Sequence, residues 1–380
     1  MKFILAPDKY KGSLSGPEFC EIVEKGIRKI FPRATIIKRP LADGGDGTLD
    51  VIHGCLATHF VGLRTRDPLH REIEAHYLLS DDGGTAYIEM ARASGHKLLQ
   101  VGELNCMESS SYGTGLLLVD ALDKGVRKIV LGLGGTATND GGMGMAAALG
   151  CRFLDPLGTP LEPMGRNLSQ VAKIETDGLH RGLRTTKIQV ACDVTNPFYG
   201  PSGTARTYAA QKGAGPQEVE LLERGMEHFA GLIQKQFGID LQKYSGSGAA
   251  GGVAGGALAL LKAELVPGTE LVMELCKFDQ VLEGAQWVIT GEGQLDKQTL
   301  SGKTLQGVLR EARKKGIPVA AFCGSIVLSI AEINRLGLAY AVSILNQVGD
   351  LEHAKANSQG NLELAAYNFA RLLRAGGTSE

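Results

Sequence analysis

Two aspartates lie among glycines in the stretch PLADGGDGT, residues 40–48. Glycine-rich loops usually offer bare backbone N–H groups to an anion, so the carboxylates of Asp43 and Asp46 are unexpected there. The two features are compatible if a divalent cation or a substrate hydroxyl lies between the acids and a phosphate. The loop therefore indicates phosphoryl-transfer chemistry, with Gly44 and Gly45 close to phosphate.

Taken alone, the same loop fits two other interpretations. Its segment Gly44–Thr48 matches the GGDGT motif of the NAD kinases and diacylglycerol kinases, which also transfer phosphoryl groups. Asp and Gly are common turn residues as well, so a purely structural loop stays open.

A second glycine-rich stretch, Gly132–Ala137, fits the pattern G-x-G-x-x-A after a predicted strand. With Asp155 about 20 residues past Gly135, this spacing is typical of dinucleotide binding and keeps an NAD-dependent dehydrogenase open. In that fold the helix starts directly on the pyrophosphate, whereas here Thr138–Gly142 precede an apolar helix beginning near Met143. The dinucleotide interpretation is therefore the less favoured one.

Two further loops contain groups that suit phosphate. Ser245–Gly252 leads into a helix of small residues, so backbone N–H groups near Gly248 and Gly251 suit a phosphate or carboxylate. Close helix packing explains the same glycines equally well. Leu300–Thr304 imitates the end of a P-loop without the first glycine of that motif, which leaves Lys303 as a phosphate ligand or a solvated charge.

Acid-bearing loops recur at the ends of predicted strands. In open α/β sheets, ligands bind outside the carboxyl ends of the strands, so we expect these loops to converge on one cleft. Short β-branched runs predict strands at 2–6, 35–39, 86–90, 128–133, 187–191, 287–290, 318–322 and 340–345. The loops that carry acids are 7–13, 40–48, 134–144, 192–197 and 291–296.

Helical patterns lie between several of these strands. Apolar residues at i, i+3, i+4 and i+7 spacing over 19–31, after a capping box of Ser15 and Glu18, predict the first helix. An apolar stripe predicts a closing helix over 361–374. Because strands and helices alternate, we predict an α/β fold with a largely parallel sheet, and 380 residues are enough for two domains.

Composition limits the partners and the compartment. The chain has 40 basic and 41 acidic residues and no basic tract, so neither nucleic acid nor an anionic membrane is an expected partner. The seven cysteines are widely spaced without a C-x-x-C pair, which predicts buried thiols rather than a disulfide framework. No signal peptide and no apolar run approaching ~18 residues is present, so we expect a soluble cytoplasmic protein.

Eight segments form an ordered set of motifs along the chain. They are APD and KGSLS within 6–15, P and DGG within 40–45, GGTATNDGG at 134–142, DVTNP at 193–197, QKGA at 211–214, GAAGG at 248–252, TGEG at 290–293, and Asp296, Gln298-Thr299 and Gly302-Lys303. Taken together, the segments resemble the bacterial type I glycerate kinases. The resemblance runs from residue 3 to about 325, with departures at Asp46, where the family usually has Glu, at Lys9-Tyr10, usually Ser-Phe, and at Ala210, usually Pro.

The resemblance implies ATP-dependent phosphorylation of glycerate at the 2-hydroxyl, giving 2-phosphoglycerate and ADP, with Mg²⁺ as the metal. It also implies two α/β domains with the active site in the cleft between them. We place a Rossmann-like domain with a mostly parallel sheet at 1–60 plus 285–380, and an inserted second α/β domain at 61–284. The expected partners are glycerate and ATP, and the expected state is a monomer or homodimer.

The residue roles rest on strand-end position and on the family motifs. We expect Asp193 to be the general base, with Asp43 as the second choice and Lys11 as a catalytic cation. Expected substrate contacts come from Asp8, Ser13, Thr136, Asn139, Asp140, Asn196, Gln211 and Lys212. Expected nucleotide contacts come from Gly44, Gly45, Gly248, Gly251, Gly291 and Lys303, and expected metal ligands are Asp46, Glu292 and Asp296.

Overall fold

The chain folds into two compact units. The computed structural model describes residues 1–8, 10, 13–100, 102–297, 299–300 and 303–377, and of Lys303 it describes the backbone alone. Unit 1 comprises 1–42, 50–55 and 269–380, and unit 2 comprises 43–49 and 56–268. The functional domains predicted from sequence, 1–60 with 285–380 and 61–284, stay a prediction.

The strands fall close to the β-branched runs where such runs exist. Over the described residues they are β1 (Lys2–Leu5), β2 (Thr35–Lys38), β3 (Thr58–Arg66), β4 (Glu72–Ser80), β5 (Thr85–Glu89), β6 (Lys128–Gly132), β7 (Arg152–Leu154), β8 (Lys173–Glu175), β9 (Lys187–Ala191), β10 (Glu264–Val266), β11 (Trp287–Leu295), β12 (Val319–Ile326) and β13 (Tyr340–Ser343).

The first helix begins at a side-chain cap. The Ser15 hydroxyl accepts from the Glu18 N–H at 3.3 Å, and the Glu18 carboxylate accepts from the Ser15 N–H at 2.8 Å, which confirms the predicted capping box. The helices of the described residues are α1 (Gly16–Arg28), α2 (Thr48–Cys55), α3 (Ala91–Ser94), α4 (Tyr112–Asp123), α5 (Met143–Ala148), α6 (Thr204–Tyr208), α7 (Pro216–Phe237), α8 (Val253–Leu261), α9 (Gly268–Leu275), α10 (Phe278–Val281), α11 (Lys303–Lys314), α12 (Ile330–Leu336), α13 (Leu351–Ala356) and α14 (Ser358–Ala375).

Unit 1 is built on a five-stranded sheet in the order β13-β12-β11-β1-β2, with parallel pairing throughout. Counted along this unit alone, the order is that of a doubly wound sheet whose topological switch point lies between β1 and β11. Apolar clusters cover the sheet, one containing Phe3, Phe19 and Phe322 and another containing Ile4, Val288 and Val319. Ligand-binding loops are expected at the carboxyl ends of β1 and β11.

Unit 2 is built on a six-stranded sheet in the order β10-β9-β6-β5-β4-β3. Strands β5, β6, β9 and β10 pair in parallel, and β3, β4 and β5 pair antiparallel. The core contains Tyr77, Ile88, Leu131 and Val190 on neighbouring strands. The carboxyl ends of β5, β6 and β9 therefore lie side by side at one edge of this sheet.

One prediction about cysteines is wrong. Cys55 and Cys276, which are 221 residues apart, form a disulfide within unit 1. The pairing depends on α2 and α9 being neighbours in the fold, and no local spacing in the sequence reports that. Cys20, Cys106, Cys151 and Cys323 are buried thiols as expected, whereas the thiol of Cys192 is half-buried. Among the described residues, no helix has both the length and the apolar character needed to cross a membrane.

Candidate active site

The glycine-rich loop 43–47 lies across the carboxyl ends of β6 and β9 in unit 2. The Gly134 N–H donates to the Gly44 carbonyl at 3.5 Å, and a Cβ added to Gly134 would lie 2.4 Å from Gly45 Cα. Gly44 has a φ of +82°, and a Cβ there would lie 2.8 Å from the Ala191 Cβ. Only glycine permits this approach of backbone to backbone, so these glycines are required by the packing of the loop.

The loop is anchored at its far end by a buried carboxylate. Glu89, the last residue of β5, is 2% exposed and accepts from the Leu49 N–H at 2.8 Å. Its other oxygen accepts from Arg92 Nε at 3.0 Å. Burial raises the pKa of Glu89, and the hydrogen bonds from Leu49 and Arg92 oppose that rise. The loop is thus fixed to three neighbouring strand ends.

The two carboxylates of the loop have different surroundings. Asp43 accepts the Gly45 N–H at 3.0 Å, so this amide already has an acceptor within the loop. Asp46 forms an ion pair with Lys97, which follows α3. The predicted roles of Gly44 and Gly45 in nucleotide binding and of Asp46 in metal binding stay predictions.

A cavity of about 360 Å³ opens beside this loop, and all of its lining residues belong to unit 2. Its floor is formed by the segments that follow β6 and β9, near Leu133 and Ala191. Predicted site residues that line it are Asp43, Gly45, Thr136, Asp193, Gln211 and Lys212. Sequence reasoning missed the other polar residues of the lining, His96, Cys192 and Tyr208.

Lys212 lines this cavity with a buried ammonium, and burial disfavours its charged form. Its side chain is 5% exposed, and Nζ donates to the Thr138 carbonyl at 2.7 Å and to the Thr136 hydroxyl at 3.3 Å. Burial lowers the pKa of Lys212 to about 8, while the nearby Cys106 and Asp140 oppose that shift. Because both hydrogen-bond acceptors are neutral oxygens, an anionic ligand would stabilise the ammonium further.

Asp193 directly follows the end of β9 and is oriented by backbone. One of its carboxylate oxygens accepts from the N–H of Gly268, the first residue of α9, at 3.2 Å. The side chain is half-buried and lines the cavity. A carboxylate held in this way can accept a proton from a hydroxyl bound beside it.

Two predicted substrate residues, Asp140 and Asn139, are buried in the loop before α5. Asp140 is fully buried, and its carboxylate accepts from the Ser111 N–H and hydroxyl and from the N–H groups of Gly142 and Gly144. Burial raises its pKa, and these hydrogen bonds oppose the rise. Asn139 is also fully buried. Asp140 holds the loop before α5, whereas the amide of Asn139 has no hydrogen-bond partner among the described residues, and direct substrate contact by either residue stays a prediction.

Asn196 fixes the position of a cavity residue. Its amide Nδ2 donates to the Ser202 carbonyl at 2.8 Å, and its Oδ1 accepts from the Tyr208 hydroxyl at 2.7 Å. Tyr208 lines the cavity two residues after an exposed arginine of α6, and nothing in the local sequence distinguishes it. The structure thus brings Asn196 to the site indirectly, through a tyrosine that sequence reasoning missed.

The glycines before α8 are explained by packing. The Gly248 N–H donates to the Asn196 carbonyl at 3.1 Å, and a Cβ on Gly248 would lie 2.1 Å from the Pro197 carbonyl oxygen. A Cβ on Gly251 would lie 2.1 Å from the Thr138 carbonyl oxygen. These contacts favour the second interpretation of the stretch, close packing, and phosphate binding by Gly248 and Gly251 stays a prediction.

The remaining predicted residues belong to unit 1. The Asp8 N–H donates to the Gly291 carbonyl at 2.9 Å, and Asp8, Gly291 and Glu292 line one small cavity at the switch point between β1 and β11. Ser13 donates to the Ser358 hydroxyl at 3.0 Å. Asp296 accepts from the Thr299 N–H at 3.2 Å, after β11. Lys11 and the side chain of Lys303 lie outside the described residues.

Comparison with known proteins decides the family. The model of the glycerate kinase family matches residues 3–374. The chain belongs to the glycerate kinase family. Membership makes the protein a kinase, confirms the resemblance found from the motifs, and gives no support to a dehydrogenase or to a lipid or NAD kinase. The α/β class with mostly parallel sheets is confirmed as well.

Individual relatives cover nearly the whole chain. A glycerate kinase of Halalkalibacterium halodurans is 40% identical over 367 residues, which is 97% of either chain. The glycerate 2-kinase of Escherichia coli K12 is 37% identical over 376 residues, which is 99% of either chain. A crystal structure described as glycerate kinase 2 of Salmonella typhimurium LT2 has 38% identity and a TM-score of 0.87, with both chains covered completely.

Proposed function

We propose that the protein transfers the γ-phosphoryl group of ATP to the 2-hydroxyl of glycerate, giving 2-phosphoglycerate and ADP. The observation that carries this proposal is the unit 2 cavity, which the carboxylates of Asp43 and Asp193 and the buried ammonium of Lys212 all line, in a chain of this family. The name of the Escherichia coli relative, glycerate 2-kinase, supports the 2-position over the 3-position.

Asp193 is the proposed general base. Its carboxylate stands at a strand end beside the cavity, and the Gly268 N–H fixes one of its oxygens. Removing the hydroxyl proton as the oxygen attacks the phosphorus makes that oxygen a better nucleophile. Asp43 is the second choice, because its carboxylate lines the same cavity but also accepts the Gly45 N–H.

Lys212 is proposed to balance negative charge on glycerate or on the transferring phosphoryl group. Phosphoryl transfer spreads charge over several oxygens, and an ammonium already in place stabilises it without reorganisation. Thr136 and Gln211, which line the cavity, are proposed to hydrogen-bond the acid. We propose that Asp140 and Asn196 support these contacts by fixing the loops around them, and that Asn139 orients the substrate.

The nucleotide and its metal are proposed to use the glycines, the lysine and the carboxylates predicted for them from sequence. Among the described residues, no three His, Cys, Asp or Glu side chains form a group that could hold a metal ion. Mg²⁺ does not need one, because it is commonly held by one or two carboxylates together with substrate phosphates and water. The oxygen donors of Glu292, Asp296 and Asp46 fit that chemistry. Bound there, Mg²⁺ would offset phosphate charge.

Further proposed contacts of the two ligands come from the remaining predicted residues. They are Asp8 and Ser13 for glycerate, Lys11 as a catalytic cation, and Gly44, Gly45, Gly248, Gly251, Gly291 and Lys303 for ATP. A cytoplasmic location and a monomeric or homodimeric state also remain proposals. Sedimentation velocity tests the oligomeric state.

The test is a ³¹P NMR assay of the purified protein with glycerate, ATP and MgCl₂. We expect the resonance of 2-phosphoglycerate to grow together with ADP, and excess EDTA to stop both. Growth of 3-phosphoglycerate would refute the 2-position and keep the kinase. If ATP were not consumed and no phosphoester formed, glycerate phosphorylation itself would be refuted.

A further inference from the structure

One wall of the unit 2 cavity is formed by a segment that follows α3. The His96 N–H donates to the Gly135 carbonyl at 3.0 Å, and the Ala137 N–H donates to the Ser94 carbonyl at 2.9 Å. Gly95 and Thr136 form an isolated antiparallel bridge between these two hydrogen bonds. Backbone contacts alone therefore fix residues 94–96 against the loop that carries Thr136.

The His96 side chain is held in a defined tautomer. Its Nδ1 lies 2.8 Å from the Gly135 carbonyl oxygen, which can only accept a hydrogen bond, so Nδ1 carries the proton. In the neutral ring Nε2 is then an acceptor, and within the described part of the chain it has no hydrogen-bond partner. The side chain is exposed and lines the cavity.

Most polar groups of the cavity lining already have a partner or a proposed role: Thr136 and Gln211 are proposed to hydrogen-bond the acid, and the Tyr208 hydroxyl donates to Asn196. Lys212 suits the carboxylate or phosphoryl group, and Asp193 suits the reacting hydroxyl. Much of the remaining lining is aliphatic, including Leu133, Ala191 and Ala249. A hydroxyl that loses water without gaining a partner weakens binding, so the second hydroxyl of glycerate needs a hydrogen-bond partner in the cavity, and the unpartnered Nε2 of His96 can supply one.

We propose that His96 Nε2 accepts a hydrogen bond from the hydroxyl of glycerate that does not react, and so selects a dihydroxy acid over a monohydroxy acid of the same length. The proposal rests on the proposed function. The ring is not needed to fix residues 94–96, because the His96 N–H already donates to the Gly135 carbonyl. Its orientation instead presents an acceptor to the cavity.

The test compares glycerate with lactate, which has the same three carbons and the 2-hydroxyl but no 3-hydroxyl. Lactate is measured as an alternative substrate or as a competitive inhibitor against glycerate. For His96→Leu we expect kcat/KM for glycerate to fall about ten-fold. The kcat/KM of lactate, or its inhibition constant where it is not a substrate, should change less than about two-fold. His96→Gln, which keeps an acceptor, should restore part of the preference.

His59→Leu is the matched control. His59 lies on β3 of the same unit, is exposed, contacts Asp81 at 3.2 Å and does not line the cavity. We expect this variant to keep the preference of the wild type. The proposal would be overturned if His96→Leu weakened the use or binding of glycerate and lactate by the same factor, or of neither acid.

A measurement on the wild type keeps the test valid if His96→Leu does not fold. In ¹H–¹⁵N correlation spectra of the imidazole nitrogens we expect Nδ1 to be protonated, and the Nε2 resonance to shift with glycerate but not with lactate. Equal shifts with both acids would overturn the proposal. Wild-type turnover of glycerate tests the proposed function separately, so failure of one is distinguishable from failure of the other.

Discussion

The Lys97 ammonium forms an ion pair with the Asp46 carboxylate, and this pair ties the glycine-rich loop to the segment that bears His96. Lys97 is 72% exposed and Asp46 is 36% exposed, so water weakens the attraction. A carboxylate that already has an ammonium partner gains less from a metal ion than one surrounded by water. In this structure the pair positions the loop, and coordination of a metal ion by Asp46 would require the Lys97 ammonium to move away.

Replacing Lys97 by Met should affect kinetics more than stability. An exposed pair contributes about 0–1 kcal/mol, so the unfolding midpoint should scarcely change. Loss of the pair frees loop 43–47 at one end, and we expect KM for glycerate to rise roughly three- to ten-fold. Lys124→Met, which breaks the pair with Asp120 at 2.8 Å on α4, is the control. Identical kinetics in the two variants would show that Lys97 does not position the loop.

Gly134→Ala should displace loop 43–47 from its packed position against Gly134. The added Cβ would lie 2.4 Å from Gly45 Cα, and backbone cannot rotate away as a side chain would. We expect a loss of roughly 1–3 kcal/mol in the free energy of unfolding and a lower kcat/KM. Urea unfolding and steady-state kinetics measure both. Gly231→Ala on α7, where a Cβ meets nothing within 4 Å, should be neutral or stabilising.

Asp193→Asn should cut kcat by roughly two to four decades, because the amide cannot take the hydroxyl proton but can still accept from the Gly268 N–H. KM for glycerate should change little by comparison. Asp43→Asn is the internal comparison, and its kcat should fall less than that of Asp193→Asn. A larger loss in Asp43→Asn would exchange the two roles, and near-normal turnover in Asp193→Asn would remove it from proton transfer.

Local signals explain what the sequence could predict of the fold. Strands such as β6 and β9 are buried and β-branched, and α1 begins at a capping box, so each was visible within its own segment. Strand β3 was not, because its exposed and half-buried residues mix charged and apolar types over Thr58–Arg66. The membership of residues 43–49 in unit 2 depends on contacts with Gly134 and Ala191, which lie far away in sequence.

Residues of the cavity could be predicted from the rule that ligands bind beyond the carboxyl ends of strands. Asp43, Asp193 and Thr136 were found because they follow predicted strands. Glu89 ends β5 and His96 follows it by a few residues, so the same rule applied to this strand would have pointed to both. Lys97 as the partner of Asp46 could not be inferred, since pairing of exposed charges depends on the folded positions of both side chains.

The Cys55–Cys276 bond gives a prediction about thiol counts. Alkylation of the denatured protein without reductant should modify the five cysteines that are free, and prior reduction should expose all seven, which intact mass spectrometry resolves. Closing a long loop restricts the unfolded chain, so Cys55→Ala with Cys276→Ala should lower the free energy of unfolding by about 2–5 kcal/mol. Seven reactive thiols without reductant would contradict the pairing.

Lys212 predicts opposite effects of alkaline pH on activity and stability. Burial lowers its pKa to about 8 from an ordinary value of 10.5, so between these values the unfolded chain binds more protons than the folded one. Stability from this group therefore rises with pH across that window. If the ammonium holds substrate charge, kcat/KM should instead fall above pH about 8.

A bound anion favours the charged form of Lys212, so the alkaline limb of kcat should lie at higher pH than that of kcat/KM. Arginine stays protonated across this range, so Lys212→Arg should have low activity without this limb. Profiles of both constants against pH, with calorimetric unfolding at the same pH values, measure the two effects. If the limb persisted unchanged in Lys212→Arg, a different group would be responsible for it.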